Sequence, residues 1–432
     1  MPDKLALRFS RLQLISATPA IKIIYMYRFM TAKLQKKYAL SVEHWAFFYT
    51  FAENFSIMKH LFYVLAILLL CACGNKTKNE TFELAEGSKL GVHHAKGFDV
   101  FYEENYKTVI VYNPWSAGEI QQVYFLVADK AIETPTYGVK VVVPVTNIAI
   151  SSSTHVEFLN LLGELSTIKG ACTPHLIYNA SVRSCYADGK IQSLGDAHNV
   201  NLEQLLHLNP DVYFVASYNQ QDEQAKRLQQ SGVNLVYNNE WTESSLLARA
   251  EWIKFIAAFY DKESVADSIF SQIERDYLSV SAIAQSVDER PTVLAGGNFK
   301  GTWYMPSGSS YMGKLFADAG ADYFYKNDTT TSTSLALNFE TVLNNFHDVD
   351  VWLNAPTTTL DALMQMDSRH NLFRSAREGR VYGFYLRTLP DGANDFWESA
   401  VARPDLVLKD IIWALHPHLL PNYQPTYILK LQ

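Results

Sequence analysis

Cysteine is scarce in this sequence, with four among 432 residues. So few cysteines exclude a small fold held together by a disulfide framework. Cys71 and Cys73 end a hydrophobic run, which leaves Cys172 and Cys185 as the two that could pair outside the cytoplasm. The sequence leaves that pairing open, because it does not give the distance between their Cα atoms.

Positive charge is also limited, since 37 Lys and Arg stand against 44 Asp and Glu and give a net charge of −7. This balance gives no reason to expect nucleic-acid binding, which usually needs a basic face. The hydrophobic content of 48% argues against disorder and supplies enough apolar side chains for real cores. A chain of this length suits two domains with additional segments.

The usual catalytic motifs are missing as well. No Gly-x-Ser-x-Gly nucleophile elbow occurs, and Gly296-Gly297 and Gly308-Ser309 read as turns instead of a phosphate loop. The twelve histidines show no strong metal-ligand spacing. Two alternatives to a binding protein for a larger ligand stay open: a direct metal-ion binding protein, and a secreted α/β enzyme with an active site between two lobes.

A secretory signal is present far inside the chain. Met58-Lys59-His60 precedes ten apolar residues, Leu61–Leu70, a run too short to cross a bilayer. The run ends in Leu70-Cys71-Ala72-Cys73, which resembles the bacterial lipobox and implies a lipid on Cys73. We therefore expect a lipoprotein signal peptide over 58–73, a polar tether over 74–86, and a mature protein anchored to a membrane in the periplasm or cell envelope.

Residues 1–57 precede this signal and carry no clear hydrophobic period. The simplest interpretation is that translation starts at Met58 and that 1–57 is a non-native extension from a misplaced start. The alternative is a genuine N-terminal domain in which the apolar run forms a buried helix.

The mature chain predicts an α/β protein of two similar Rossmann-like lobes. Strand-like segments over 84–145 precede alternating strands and helices, the pattern of a parallel sheet. We expect an N-terminal lobe over 87–240, a helical linker over 241–288 and a C-terminal lobe over 289–432. The linker includes a helix of about 24 residues, which would reach about 36 Å and could bridge the lobes. Its predicted apolar face comprises Val265, Ile269, Ile273, Tyr277, Val280 and Ala284.

A short repeat supports two similar lobes. Asn201-Leu202-Glu203 and Asn338-Phe339-Glu340 each open a predicted helix, and an Asp follows each Glu by eight residues, at Asp211 and Asp348. Asn caps helices and an acid suits the first turn, so capping alone explains either Glu. Matched acids on both lobes could also meet matched cations on a two-fold symmetric partner.

These motifs, in this order, resemble the iron-chelate and cobalamin solute-binding proteins of ABC importers over roughly residues 140–420. The matching segments are Asn201-Leu202-Glu203, Asn209-Pro210-Asp211, Gly308-Ser309-Ser310, Ala317-Asp318-Ala319-Gly320, Asn338-Phe339-Glu340, Arg403-Pro404-Asp405 and His416-Pro417. The resemblance implies the fold with a single-helix hinge, no enzymatic activity and no intrinsic cofactor. It also implies a ferric chelate, haem or corrinoid as ligand, and an ABC permease dimer of the inner membrane as partner. Glu203 and Glu340 match the positions that dock on the permease. The strands over 84–145 have no counterpart in the shortest members of that family.

The ligand should lie between the lobes, at the carboxyl ends of the parallel strands. The candidates on the first lobe are Ser152, Ser153, Thr154, His155, Tyr178 and Tyr218. Those on the second lobe are Trp303, Tyr304, Tyr385, Arg387 and Trp397. Aromatic faces suit a corrin, a porphyrin or a catecholate, and Arg387 or Arg183 could pair with an anionic chelate. For any single aromatic residue, packing in the core is the competing interpretation.

Overall fold

The computed structural model describes residues 88–218 and 222–432. They belong to one compact unit, Leu84–Gln432. The predicted extension, the signal peptide with Cys73 and the tether over 74–86 lie outside the described residues. Among the described residues, no helix combines the length and the apolar character needed to cross a membrane.

A five-stranded sheet opens the described chain and confirms the strands predicted there. Its strands are β1 (Ser88–Lys89), β2 (Phe98–Tyr102), β3 (Tyr106–Tyr112), β4 (Ile120–Val127) and β5 (Val139–Val142). They lie in sequence order, antiparallel except for the parallel pair β4–β5. One face packs on the segment that follows the first lobe, where Phe98 contacts Trp252 and Tyr124 contacts Phe259. The sheet is therefore an integral part of the first lobe's core.

The first lobe is built on a parallel sheet, as the alternating pattern predicts. Its strands are β6 (Ile148–Ile150), β7 (Ile168–Ala171), β8 (Gln192–Ser193), β11 (Val212–Val215) and β12 (Leu235–Tyr237), in the order β12-β11-β6-β7-β8. A small antiparallel pair, β9 (Gly195–Asp196) and β10 (Asn199–Val200), follows β8. The helices are α1 (Thr154–Leu162), α2 (Ala180–Ala187), α3 (Leu202–Leu208) and α4 (Glu223–Gln230). Loops after the carboxyl ends of β6, β7 and β11 hold the residues predicted to bind ligand.

The linker contains two short helices and one long one. They are α5 (Leu246–Ala250), α6 (Ile253–Ala258) and α7 (Glu263–Gln285). Helix α7 joins both cores, because Ala266 and Phe270 pack into the first while Tyr277, Val280 and Ala284 pack into the second. The prediction of a bridging helix is confirmed. The predicted face was wrong at one end, since Val265 is 44% exposed and the buried line begins at Ala266.

The second lobe has a smaller parallel sheet and additional antiparallel strands. The parallel pair is β13 (Val293–Ala295) and β17 (Val351–Leu353), extended by single bridges Thr292–Asp322 and Trp352–Val381. The antiparallel strands are β14 (Asn298–Phe299), β15 (Thr302–Pro306) and β16 (Ser334–Leu337), and separately β18 (Tyr382–Gly383) with β19 (Leu429–Lys430). The helices are α8 (Tyr311–Asp318), α9 (Phe339–Phe346), α10 (Leu360–Met366), α11 (Arg374–Arg377) and α12 (Pro404–Leu415).

The short repeat occupies equivalent places in both lobes, with one correction. Asp211 directly precedes β11 and accepts a hydrogen bond of 2.8 Å from Thr146 N, just before β6. The residue that does this in the second lobe is Asp350, which precedes β17 and accepts one of 2.8 Å from Thr292 N, just before β13. The partner predicted from spacing, Asp348, forms an ion pair with Arg374 instead. Helix α9 and the connection that follows it are each one residue longer than their counterparts in the first lobe, so equal spacing identified the wrong Asp.

Candidate functional site: the cleft between the lobes

A cavity of about 570 Å³ opens between the two lobes. Side chains of both lobes line it, among them Glu157, Asn160, Tyr178, Asn179 and Arg183 from the first lobe and Arg387, Asp395, Glu398, Ser399, Arg403 and Tyr427 from the second. Tyr178 comes from the segment between β7 and α2, and Arg387 from the loop that follows β18. The cavity therefore lies where the carboxyl ends of parallel strands place ligand sites.

Glu398 of the second lobe forms hydrogen bonds with the backbone of the first lobe. Its carboxylate is 2% exposed and accepts hydrogen bonds from the backbone N–H groups of Tyr178, at 2.6 Å, and Asn179, at 2.9 Å. Burial raises the pKa of Glu398 to about 7, and these two hydrogen bonds act against that rise. The negative charges of Asp395 and Glu157 raise the pKa further. The group is thus poised to exchange a proton near neutral pH.

Two arginines reach across the cleft at its rim. Arg183 of the first lobe forms an ion pair with Asp391 of the second. The guanidinium of Arg387 lies 5.3 Å from the ring centroid of Tyr178, a cation–π contact, and its Nε is 3.1 Å from Asp395. Together with Glu398, these contacts join the two lobes.

Several residues predicted from the sequence meet at this interface. Tyr178 and Arg387 line the cavity. Ser153 Oγ donates a hydrogen bond of 3.4 Å to the backbone oxygen of Trp397. Thr154 and Trp397 line a smaller neighbouring cavity of about 30 Å³. Ser152 stays within its own loop, where its hydroxyl lies 3.0 Å from Thr154 Oγ1.

Tyr218 lies at another cavity, of about 150 Å³, lined also by Ser151 and His198. Its ring centroid is 5.0 Å from that of His198 and 6.0 Å from that of Trp241, on which it stacks. This aromatic group marks the carboxyl end of β11, the position that the sequence predicts for a ligand contact.

Two predicted ligand residues are core residues instead. Trp303 is fully buried, its Nε1 donates to the backbone oxygen of Ala295, and its ring packs on Trp352. Alternate residues of a strand face opposite sides, so Trp303 points inward from β15 and Tyr304 points outward. His155 is also fully buried, and burial lowers its pKa to about 3, which keeps the imidazole neutral.

The remaining predicted residues lie away from the cavity. Tyr304 is 54% exposed and Tyr385 is half-buried, and neither lines the three cavities described above. Cys172 and Cys185 are free thiols, so the disulfide is not formed. Cys172 is instead buried at the end of β7, where its Sγ lies 3.3 Å from the Tyr213 hydroxyl.

The sequence analysis did not predict most of the charged side chains that line the cavity between the lobes. Glu157, Asp395, Glu398 and Arg403 all face the cavity. Asp395 and Glu398 flank the predicted Trp397 in the chain, which is the one signal that could have drawn attention to them. Within residues 88–218 and 222–432, no three or more His, Cys, Asp or Glu side chains are grouped to hold a metal ion.

The chain is similar to an uncharacterized lipoprotein of Methanocaldococcus jannaschii, 26% identical over 354 residues, covering 77% of this chain and 83% of the relative. It is also similar to a solved haem-binding periplasmic protein of Vibrio cholerae, with 14% identity, a TM-score of 0.48, and coverage of 61% of this chain and 98% of that one. A vitamin B12 binding protein of the same organism gives 12% identity, a TM-score of 0.45, and coverage of 63% and 96%.

The family model described as periplasmic binding protein matches residues 148–384, more than half of the chain. Proteins of this family are substrate-binding components of ABC transporters and not enzymes. The predicted class of protein is thereby confirmed, and the enzyme alternative is set aside. By this match, the chain belongs to the periplasmic binding protein family.

Proposed function

We propose that this protein captures an iron chelate, haem or corrinoid between its lobes and delivers it to an ABC permease. The cavity of about 570 Å³ at the lobe interface carries the proposal. Its volume falls within the roughly 300–1,000 Å³ typical of small-molecule sites. Because both lobes line it, a ligand there would contact both lobes at once.

The lining chemistry suits an anionic, partly aromatic ligand. Arg183, Arg387 and Arg403 each have a carboxylate partner, at Asp391, Asp395 and Asp405, and the Arg387 side chain is the most exposed of the three. Arg387 presents its guanidinium over the Tyr178 ring at the cavity wall, with 44% of its side chain exposed. A guanidinium binds carboxylate or catecholate oxygens through paired hydrogen bonds, and the tyrosine offers a flat face to a ring. We therefore assign Arg387 as the main anion contact.

The experiment is a titration of the purified protein with cyanocobalamin, hemin and ferric siderophores, followed by tryptophan quenching. Saturable binding of one of them supports the proposal, and Arg387→Ala should then weaken binding at least tenfold. Arg275→Ala is the matched control, since that arginine bonds Gln272 within helix α7. A folded protein that binds none of these ligands would refute the proposal.

Docking on the permease would use Glu203 and Glu340. Both are exposed in the first turns of equivalent helices, α3 and α9. The side chains of Asn201 and Asn338 cap those helices by accepting hydrogen bonds from Gln204 N and Thr341 N. Capping is thus performed by the asparagines, which leaves the carboxylates available to a partner. Glu340 lies 3.3 Å from Arg369, an arginine contact that a permease arginine could replace.

Charge reversal separates docking from capture. Glu203→Arg with Glu340→Arg should abolish uptake by cells while the purified protein binds ligand as before. Glu223→Arg, on exposed helix α4, is the control for surface charge. Normal uptake by the double variant would contradict the docking role.

Attachment to a membrane through a lipid on Cys73 completes the proposal. The relative in Methanocaldococcus jannaschii carries the name lipoprotein, which supports an anchored form. Mass spectrometry of the mature protein should find an acylated Cys73 as its first residue, and Cys73→Ser should release the protein from the membrane fraction.

A further inference from the structure

The N-terminal sheet reaches the ligand-binding edge of the first lobe. The Tyr124 hydroxyl accepts a hydrogen bond from Tyr237 N, at the end of β12. Three residues earlier in β4, Gln121 contacts Asn239, which lies beyond β12, and Ser217, which lies beyond β11. Strand β4 therefore runs past the carboxyl ends of both parallel strands, and its hairpin with β3 lies beyond them.

A β-bulge turns Gln121 toward that edge. In the β3–β4 ladder, Val111 pairs with Gln122 and Tyr112 pairs with Ile120, so Gln121 is the additional residue. A bulge redirects a side chain out of the strand's regular alternation, and bulges are frequent beside functional sites. Here it directs the amide of Gln121 to the loops after β11 and β12.

Gln121 is part of a buried hydrogen-bond chain that ends at aromatic residues. Its Nε2 donates to Ser217 Oγ at 2.8 Å, and its Oε1 accepts from Asn239 Nδ2 at 2.7 Å. Asn239 Oδ1 accepts from Ser217 N, and the Ser217 carbonyl accepts from Trp241 Nε1. Trp241 stacks with Tyr218. The amide thus fixes the segment that holds the Tyr218–Trp241 stack at the cavity.

The tip of the hairpin carries another aromatic face. Trp115 and Ile120 are each 37% exposed, although both are large and apolar. The tip continues two or three residues beyond the Tyr112–Ile120 pair, which at 3.3 Å per residue places it within roughly 10 Å of Gln121. An indole at that position can reach a ligand that lies on Tyr218.

We propose that the solute site extends to the cavity at Tyr218 and that the hairpin between Tyr112 and Ile120 forms its wall there. In this arrangement Trp115 contacts the flat ring of a tetrapyrrole or corrin, and Gln121 positions Tyr218. This inference rests on the proposed function and narrows its ligand class to planar macrocycles. It gives the N-terminal sheet a role in ligand selection in addition to its packing in the core.

The placement is tested without any ligand. In the double variant Trp115→Cys with Tyr218→Cys, a bis-maleimide reagent spanning about 10 Å should link the two peptides, as identified by mass spectrometry. The control is Trp115→Cys with Phe324→Cys, because Phe324 packs on Phe346 at the far end of helix α9. Failure of the first pair to crosslink would overturn the proposal.

The role is tested with hemin and cyanocobalamin as probes. Trp115→Ala should weaken binding of one of them by roughly tenfold, the loss expected for one ring-stacking contact, while Phe324→Ala should not. Because Gln121 acts through Tyr218, Gln121→Ala should weaken binding in the wild type and have no further effect in Tyr218→Ala. Additive losses would show that Gln121 has only a general structural role.

Other outcomes distinguish this inference from the function beneath it. Loss of macrocycle binding in Arg387→Ala but not in Trp115→Ala would overturn the hairpin's role and leave the proposed function intact. Binding of ferric siderophores alone would do the same. A wild-type protein that binds neither macrocycles nor siderophores would overturn both.

Discussion

The two lobes share a design and contribute different chemistry to the cleft. The first lobe offers two charged side chains, Glu157 and Arg183, and meets the second lobe through backbone N–H groups and a hydroxyl, from Tyr178, Asn179 and Ser153. The second offers more charged side chains, namely Arg387, Asp395, Glu398 and Arg403. Backbone groups are the same whatever the side chains are, so ligand preference should change more readily through substitutions in the second lobe. The first lobe should influence ligand preference mainly through its aromatic side chains, Tyr178 and Tyr218.

The largest expected effect is on the free energy of unfolding, and it distinguishes Trp303 from its neighbour in β15, Tyr304. Trp303→Ala should reduce the free energy of unfolding by about 3–5 kcal/mol, because it leaves a cavity against Trp352 and removes the hydrogen bond to the Ala295 carbonyl. Tyr304→Ala should change it by about 0.5 kcal/mol or less. Urea unfolding measures both, and equal losses would contradict the inward orientation of Trp303.

The free energy of unfolding should depend on pH because of Glu398 at the lobe interface. The pKa of Glu398 is about 7 in the folded protein and 4.5 ordinarily, so the folded state binds the additional proton between these values. The free energy of unfolding should therefore fall by about 3 kcal/mol as pH rises from 4.5 to 7, and the dependence should flatten above pH 7. Glu398→Gln should remove most of this slope.

Asp395 and Glu157 also have pKa values raised by burial, so part of the slope should remain in that variant. Unfolding measured over this pH range in both proteins provides the comparison. A slope of the opposite sign, or an unchanged slope in Glu398→Gln, would contradict the assignment.

The smallest expected effects on the free energy of unfolding are those of substituting the two equivalent aspartates, Asp211 and Asp350. Asp211→Ala removes hydrogen bonds to Thr146 N and Asn147 N and should cost about 1–2 kcal/mol. Asp350→Ala also removes an ion pair with Arg374 and should cost about 2–3 kcal/mol. Asp348→Ala, at the position suggested by spacing, should cost about 1 kcal/mol or less, since its carboxylate is well exposed. Chemical denaturation should show the largest loss for Asp350→Ala, a smaller one for Asp211→Ala and the smallest for Asp348→Ala.

The sequence was sufficient where structure is local. Periodicity located the parallel strands of the first lobe and the bridging helix, and the asparagine caps were predicted from their positions. It failed at Trp303, because a strand's inward face depends on what packs against it. It also missed Glu398, whose hydrogen-bond partners lie about 220 residues away in the chain. Contacts of that kind follow from how the lobes meet, which no local pattern encodes.

Helix α7 belongs to two cores at once, and this has a consequence for folding. A cut between Phe270 and Tyr277 would leave each fragment with an apolar helical stripe that its own core cannot cover. The first core also includes Val401 and Ala402, far along the chain beyond the second lobe's sheet. The lobes should therefore not fold as separate fragments, and heating should melt them together in a single cooperative transition. Synthesis of the protein must reach Ala402 before the first core is complete and Leu431 before the second is.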